Sequence, residues 1–446
     1  MSHSPNPSST PPSKNSLLDK GSIDVITLGC RLNTYESEVM REHAHNNGLE
    51  NTIIVNTCAV TNEAERSSRQ SIRKAKKANP TAKIIVTGCS AQINPDMYKG
   101  MPEVDLVLGN QEKMLQESFV FEGATHAKEA TVRVNDIMEI EETAHHLISG
   151  FEDQVRAFIQ IQNGCDHRCT FCTIPYGRGN NRSVPMGEIL QQVKKLVANG
   201  CKEIVFTGVD ITGYGSNLPG NPTLGQMTKR ILAQVPELER LRLSSVDPVE
   251  IDEDLFILIQ HEPRLMPHMH ISLQAGDDMV LKRMKRRHLR QDAIDFCKKV
   301  RDLRPDVVFG ADIIAGFPTE TDEMFDNTLN LVRDCKLTYL HIFPYSARKG
   351  TPAARMPQVP MALRKERAAR LRQAGKTQEQ AFFASRVGTK ASVLMERNGK
   401  GHTEHFAPVT LEGTIGGTVE EDMTGTVVKA IITGYTDKGL TAKLES

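Results

Sequence analysis

Short β-branched runs alternate with longer amphipathic stretches along most of this chain. Residues 23–28, 52–55 and 83–86 are Ile- and Val-rich and bounded by turn residues, which predicts strands. Between them, residues 35–46 and 64–78 carry helical spacing. This strand–helix alternation predicts an open parallel sheet covered by helices. A second series places strands at 156–160, 203–207, 241–245, 270–273, 307–314 and 339–343. Helical patterns at 187–198, 224–233, 252–259, 279–284, 291–303 and 320–333 separate them. Six such units are too few for the closed eightfold barrel and predict an open, partial one. A helix over 361–384 follows. The texture then changes to short β-runs with Gly turns at 391–395, 404–409, 413–419, 426–432 and 440–444, which predicts a small OB-like barrel.

The fold class is therefore α/β in three parts: an N-terminal open parallel-sheet domain over 21–135, a central partial (β/α)6 barrel over 150–382, and a C-terminal OB-like β-barrel over 384–446. Residues 122–150 mix charges with small residues and read as a connector. Residues 1–20 are Ser- and Pro-rich and read as a disordered tail.

Composition narrows the class. The 446 residues carry no formal net charge, so any nucleic-acid surface is local. Two basic runs are candidates. One is Arg66, Arg69, Arg73, Lys74, Lys76 and Lys77, whose default reading is a solvated helix face. The other is Lys282, Arg283, Lys285, Arg286, Arg287, His288 and Arg290, either a helix end or a polyanion contact. The nine cysteines are an odd number and several follow strand-like runs, which points to a reducing compartment rather than a disulfide framework. There is no apolar run of membrane-spanning length and no signal-peptide core, so the expected location is cytoplasmic, with no membrane partner.

The chemistry concentrates in cysteines. Cys165, Cys169 and Cys172 are spaced C-x3-C-x2-C. Soft thiolates select zinc, copper(I) or iron–sulfur clusters, and a closed zinc site wants four ligands. Three thiolates without a nearby fourth can hold three irons of a [4Fe–4S] cube and leave one iron open. A structural zinc loop is the alternative. In the first domain Cys30, Cys58 and Cys89 each follow a predicted strand. Ligands of open α/β sheets bind at the carboxyl ends of strands, so these thiols converge as a second cluster set. Otherwise they are buried thiols acting as small apolar groups. Further strand ends carry Gly208, Ser245, Gln274 and Asp312, suited to a cofactor's backbone approach, ribose or amino group, though Asp312 reads equally as a core polar residue with a backbone partner. Cys201, Cys297 and Cys335 lack ligand spacing. Phe406 and Tyr435 are the C-terminal aromatics available to stack on bases, and either could instead belong to the core.

Several longer motifs carry a resemblance. They are Thr27-Leu28-Gly29-Cys30, Val55-Asn56-Thr57-Cys58-Ala59-Val60-Thr61, Val86-Thr87-Gly88-Cys89, the stretch from Cys165 to Arg178-Gly179, Arg182-Ser183-Val184-Pro185, Thr207-Gly208-Val209-Asp210-Ile211 and Ile342-Phe343-Pro344-Tyr345-Ser346. Over about residues 21–446 the chain resembles the radical-SAM methylthiotransferases, of the type that modifies threonylcarbamoyladenosine in tRNA. The segment between Cys30 and Cys58 looks shorter than is usual for that family. The resemblance implies two [4Fe–4S] clusters, one on Cys165, Cys169 and Cys172 and an auxiliary one on Cys30, Cys58 and Cys89. It further implies S-adenosyl-L-methionine as cofactor, a C-terminal TRAM domain for RNA, an electron donor of flavodoxin or ferredoxin type, and a sulfur source. The implied reaction is methylthiolation at C2 of the modified adenosine next to the anticodon. Relatives acting on isopentenyladenosine or on a ribosomal-protein aspartate, and a non-catalytic iron–sulfur RNA-binding protein, are the alternatives.

Overall fold

The computed structural model describes residues 22–120, 130–141, 155–412 and 423–445. In chain order the first elements are β1 (Ile23–Thr27), α1 (Arg31–Asn46), β2 (Thr52–Thr57), α2 (Asn62–Ala78), β3 (Lys83–Gly88), the short α3 (Cys89–Ile93) and α4 (Pro95–Lys99), β4 (Leu106–Leu108) and β5 (Thr131–Arg133). Next come β6 (Arg156–Gln160), β7 (Gln162–Asn163), α5 (Ile174–Arg178), β8 (Arg182–Ser183), α6 (Met186–Ala198), β9 (Glu203–Thr207), α7 (Leu224–Gln234), β10 (Arg240–Leu243), β11 (Ser245–Val246) and α8 (Glu253–His261). They are followed by β12 (His268–Gln274), α9 (Asp278–Met284), α10 (Arg290–Leu303), β13 (Val308–Ala315), α11 (Asp322–Asp334), β14 (Leu337–Pro344) and α12 (Met361–Arg386). Last are β15 (Lys390–Met395), β16 (Lys400–Thr403), β17 (Pro408–Leu411), β18 (Val427–Thr436) and β19 (Gly439–Leu444). The chain falls into two compact units. One joins the N-terminal part, to residue 148, with Gln162–Ser183 and Ser346–Thr351; the other holds the rest.

The first unit is built on a parallel sheet in the order β1-β2-β3-β4-β5. All six residues of β2 are buried, as expected of a central parallel strand covered on both faces. The single helix α1 fills the short stretch between Cys30 and Cys58. Thr61 caps α2, its side chain accepting from the Ala64 amide at 3.1 Å, and acidic Glu63 and Glu65 lie in the first turn. Of the α2 basic run, Arg66, Arg73, Lys74 and Lys77 are exposed, a solvated face. The expected connector is corrected in part: its residues Thr131–Arg133 form the edge strand β5. A three-residue strand offers too few positions for its periodicity to register.

In the second unit β6, β9 and β10 form one parallel sheet, and β11, β12, β13 and β14 another. Ser244 interrupts one strand run to give β10 and β11. Met269, Ile271 and Leu273 of β12 and Phe309, Ala311 and Ile313 of β13 join the helices in one large core. The C-terminal strands close into a barrel in the order β15-β16-β17-β19-β18. There the run 404–409 is mostly the turn between β16 and β17, with Phe406 at φ 65°. The expected strand at 413–419 lies outside the described residues.

The structure narrows two surface readings. In the run 282–290, Arg286 pairs with Asp247 at 2.6 Å, Arg287 with Glu250 and Arg290 with Asp334, while His288 is buried. Intramolecular carboxylates thus meet three of the six Lys and Arg of the run, and Lys282 and Arg283 lie in the last turn of α9, as the helix-end reading expects. Phe406 stacks on His268 and His402 beneath the guanidinium groups of Arg156 and Arg242, which leaves Tyr435 as the exposed aromatic of the pair.

The same arginines anchor the C-terminal barrel. Glu203, fully buried at the start of β9, lies 2.9 Å from Arg242 Nε, 3.3 Å from Arg240 Nη1 and 3.3 Å from Arg156 Nε. Arg156 continues to Glu396 at 2.7 Å, Arg240 to Ser392 Oγ at 2.9 Å, and Arg242 to the carbonyls of Thr403 and Glu404 at 3.0 Å. Burial alone would raise the Glu203 carboxyl, but the arginines outweigh it and hold it at about 2. A depressed carboxylate stabilises the fold above its unfolded value of 4.5, and that contribution is lost as pH falls toward 2. Glu203→Gln is expected to destabilise this unit by about 3–5 kcal/mol at neutral pH, because it strands buried cations. The deficit should shrink on acidification, which denaturation at pH 7 and pH 3 would measure.

Candidate metal centres

Three adjacent parallel strands bring three thiols to one edge. Cys30, Cys58 and Cys89 directly follow Gly29 after β1, Thr57 of β2 and Gly88 of β3. Gly29, at φ 99°, makes the approach possible: a Cβ there would lie 2.8 Å from Cys58 Cβ and 3.0 Å from its Sγ. Asn33, in the first turn of α1, ties two strand ends together by donating to the carbonyls of Leu28 at 2.6 Å and Thr57 at 3.2 Å. Burial pushes the Cys58 thiol up to about 12, and the neighbouring Cys89 and Cys30 add to the rise. Thiols that oppose one another's ionisation when empty are suited to a shared cation, whose charge reverses that balance.

The second thiol set belongs to the same unit. Gly164, at φ 72°, turns the chain into the loop; a Cβ there would fall 1.8 Å from the Asn180 carbonyl. The Cys165 amide donates to Gly179 O at 3.1 Å, closing the loop at its base. Arg168 donates to the carbonyl of Cys165 at 2.7 Å, and the Ile174 amide points at Cys172 Sγ at 3.4 Å. Helix α5 begins just beyond Cys172 and packs on α3, which begins with Cys89: a Cβ on Gly177 would lie 3.2 Å from Cys89 Cβ. Asn110 bridges the two helices, donating to Gly177 O and lying 3.7 Å from Cys89 Sγ. Both thiol sets are thus mounted on one scaffold.

At the centre of that scaffold is a charge network that sequence reasoning missed. Arg178, at the end of α5, donates to Glu36 at 2.8 and 3.0 Å, to Asn33 at 2.6 Å and to Asn163 at 3.1 Å. Lys113 donates to the same Glu36 at 2.6 Å. Side-chain exposure is 0% for Glu36 and Lys113 and 2% for Arg178. Burial would raise the Glu36 carboxyl, yet Arg178 and Lys113 hold it below its ordinary value. Two buried cations face one buried carboxylate. The surplus positive charge is costly unless an anion is near. Cys89 and Cys30 stand close enough to sustain the Arg178 charge electrostatically. A [4Fe–4S] core held by three thiolates is a net anion, so the residues present fit such a group. Arg178 lies in a motif that the sequence displays, but Glu36 and Lys113 carry no local signal.

In the second unit, Gly208, Ser245 and Gln274 stand at the carboxyl ends of the parallel strands β9, β10–β11 and β12. Gln274 adopts φ 71°, a strained conformation for a non-glycine residue and one that clusters at ligand sites. Asp312 does not join them at the ends. It lies within β13, and its Oδ1 is 3.1 Å from His270 Nε2 and 3.1 Å from His341 Nδ1. Cys297 and Cys335 are buried core thiols.

Comparison with known proteins adds the following. Residues 159–332 match the model of the "Radical SAM superfamily", and residues 22–109 match the "Uncharacterized protein family UPF0004". The chain is 59% identical over 389 residues to the threonylcarbamoyladenosine tRNA methylthiotransferase MtaB of Rickettsia prowazekii, covering 87% of this chain and 91% of that protein. It is 35% identical to the protein of the same name from Aquifex aeolicus, covering 87% of this chain and 96% of that one. The tRNA-2-methylthio-N(6)-dimethylallyladenosine synthase of Rickettsia conorii is 35% identical, with 84% and 88% covered. Among solved structures, the radical S-adenosylmethionine methyltransferase TsrM of Kitasatospora setae superposes with TM-score 0.55 at 13% identity, over 74% of this chain and 76% of that chain, a likeness of fold alone.

Proposed function

Because this chain belongs to the radical-SAM tRNA methylthiotransferases, we propose that it places a methylthio group on C2 of N6-threonylcarbamoyladenosine, next to the anticodon of tRNA. The reading is carried by two three-thiol sets on one scaffold, together with the family's motifs around them. Cys165, Cys169 and Cys172 would hold one [4Fe–4S] cluster, and Cys30, Cys58 and Cys89 the auxiliary one. When bound, the first supplies reductive cleavage of S-adenosyl-L-methionine and hence a 5′-deoxyadenosyl radical; the second offers a site for the incoming sulfur. C2–H of adenine is not acidic and offers no easy polar route to a C–S bond, which is why radical chemistry and a waiting sulfur are both needed.

The protein's own share is placement. Gly164 and the Cys165–Gly179 hydrogen bond fix the loop whose three thiols would hold the cluster that cleaves the cofactor. Arg178 and Lys113 supply fixed positive charge beside the auxiliary set. Gly208, Ser245 and Gln274 are the backbone and side-chain groups for the cofactor at the strand ends. The C-terminal barrel, with Tyr435 exposed, is the RNA-binding part. An electron donor of flavodoxin or ferredoxin type and a sulfur source complete the reaction, in the cytoplasm.

Nucleoside mass spectrometry of tRNA from a strain lacking the gene, with and without this chain resupplied, tests the reading. The expected result is loss of the 2-methylthio-threonylcarbamoyl nucleoside and its return on complementation. Loss of a methylthio isopentenyl nucleoside instead would reject the substrate assignment.

A further inference from the structure

The inner face of the β12–β14 sheet is unlike that of an ordinary parallel sheet. Strands buried on both faces read as nearly continuous apolar runs. Here Met269, Ile271 and Leu273 face the helices, while the alternate residues His270, Ser272 and Gln274 are polar. On the neighbouring strands Asp312 and His341 are register partners and so lie on one face. Asp312 Oδ1 receives both imidazoles, at 3.1 Å each. Gly310 makes room for this arrangement, since a Cβ there would lie 2.7 Å from His270 Nδ1. Side-chain exposure is 10% for His270, 30% for Asp312 and 33% for His341. His270 is therefore the inner brace and His341 the reachable member. With Nδ1 committed to Asp312, His341 keeps Nε2 for a ligand, and no protein partner for that atom occurs among the described residues. Burial would raise the Asp312 carboxyl, but the two imidazoles hold it well below the usual range, so it persists as the anion that orients both rings.

We propose that His341, positioned by Asp312 and His270, reads the N6 substituent of the target adenosine and selects a polar group bearing hydroxyl and urea N–H donors over a hydrocarbon one. The inference rests on the tRNA-adenosine reading above and deepens it. Relatives of this chain bear names that differ in that substituent, threonylcarbamoyl in one set and dimethylallyl in the other. A floor of imidazole and carboxylate would lose its hydration against a hydrocarbon with nothing in return. Against a hydroxyl and urea N–H groups, Nε2 finds donors to accept from. Asp312 lies three residues short of the end of β13, about 10 Å below the strand ends at the usual rise. Within the second unit this places the triad deeper than the strand-end positions Gly208, Ser245 and Gln274.

The test uses the full chain with its clusters reconstituted. Affinity is measured for one tRNA in two forms, carrying threonylcarbamoyladenosine or plain adenosine at the target position. The readout is the ratio of the two dissociation constants, which a general loss of fold would leave unchanged. The native chain is expected to prefer the modified tRNA. His341→Phe, and His341→Asn, which keeps the bond to Asp312 but lacks the reach of Nε2, should cut that preference by about tenfold to a hundredfold. His341→Gln, whose amide extends to the Nε2 position, should recover part of it. An undiminished ratio in both the Phe and Asn variants overturns the proposal. So does stoichiometric Mn2+ binding, seen by EPR and lost in Asp312→Asn, because the three donors, which lie within 4.8 Å of one another, would then be a metal site. A native chain that binds both tRNAs alike, and makes no methylthio nucleoside from either, overturns this proposal together with the substrate reading. A native chain that makes the product while His341 variants keep the preference overturns this proposal alone.

Discussion

Replacing Cys30, Cys58 and Cys89 together with Ala will yield a protein that still cleaves S-adenosylmethionine to deoxyadenosine but makes no methylthio nucleoside. The expectation follows from the separation of the two thiol sets in sequence and loop. Cys165, Cys169 and Cys172 are held by the Gly164 turn, the Cys165–Gly179 hydrogen bond and Arg168, none of which involves the strand-end thiols. The two sets are not wholly independent. Arg178 would remain buried beside Glu36 with its extra counter-charge gone, so some loss of stability accompanies the change. Scoring deoxyadenosine and nucleoside in the same anaerobic reaction separates the outcomes. Methylthio product from the triple variant would end the auxiliary-cluster assignment.

The reciprocal variant should be more severe. With Cys165, Cys169 and Cys172 changed to Ala, iron should fall by half from about eight per chain, as expected for two four-iron clusters, and cofactor cleavage should vanish. The strand-end set should keep its iron, because β1, β2 and β3 fix it without help from the loop. Unchanged iron in this variant would contradict the assignment of the C-x3-C-x2-C loop, and total loss would show that one cluster depends on the other.

How far this site could be seen in the sequence depends on the range of each interaction. The six thiols were legible because two local signals coincided, soft-ligand spacing in one loop and a cysteine after each of three β-branched runs. The α/β layout was legible for the same reason, since its strands and helices are long enough to show their periods. Glu36, Lys113 and Arg178 are distributed over 142 residues of chain, and only the fold brings them together. Glu36 sits in an amphipathic helix, where a charged residue ordinarily faces solvent. Asp312 was visible as a polar residue in an apolar run, but its partners lie on neighbouring strands, so its orientation toward His270 and His341 had no sequence signature. Phe406 takes the core role of the two left open for it, because composition cannot distinguish an aromatic that packs under arginines from one that faces solvent. Likewise Asp247, Glu250 and Asp334, which meet three of the cations of the run 282–290, lie too far along the chain for the sequence to show the pairing.

The central claim is tested most directly by incubating the anaerobically reconstituted full chain with S-adenosylmethionine, a reductant, a sulfide source and tRNA that carries threonylcarbamoyladenosine, and then digesting the tRNA for mass spectrometry. The account predicts deoxyadenosine together with 2-methylthio-N6-threonylcarbamoyladenosine, and no methylthio product from the same tRNA lacking the threonylcarbamoyl group. Deoxyadenosine without modified nucleoside, from protein with both clusters intact, would contradict it.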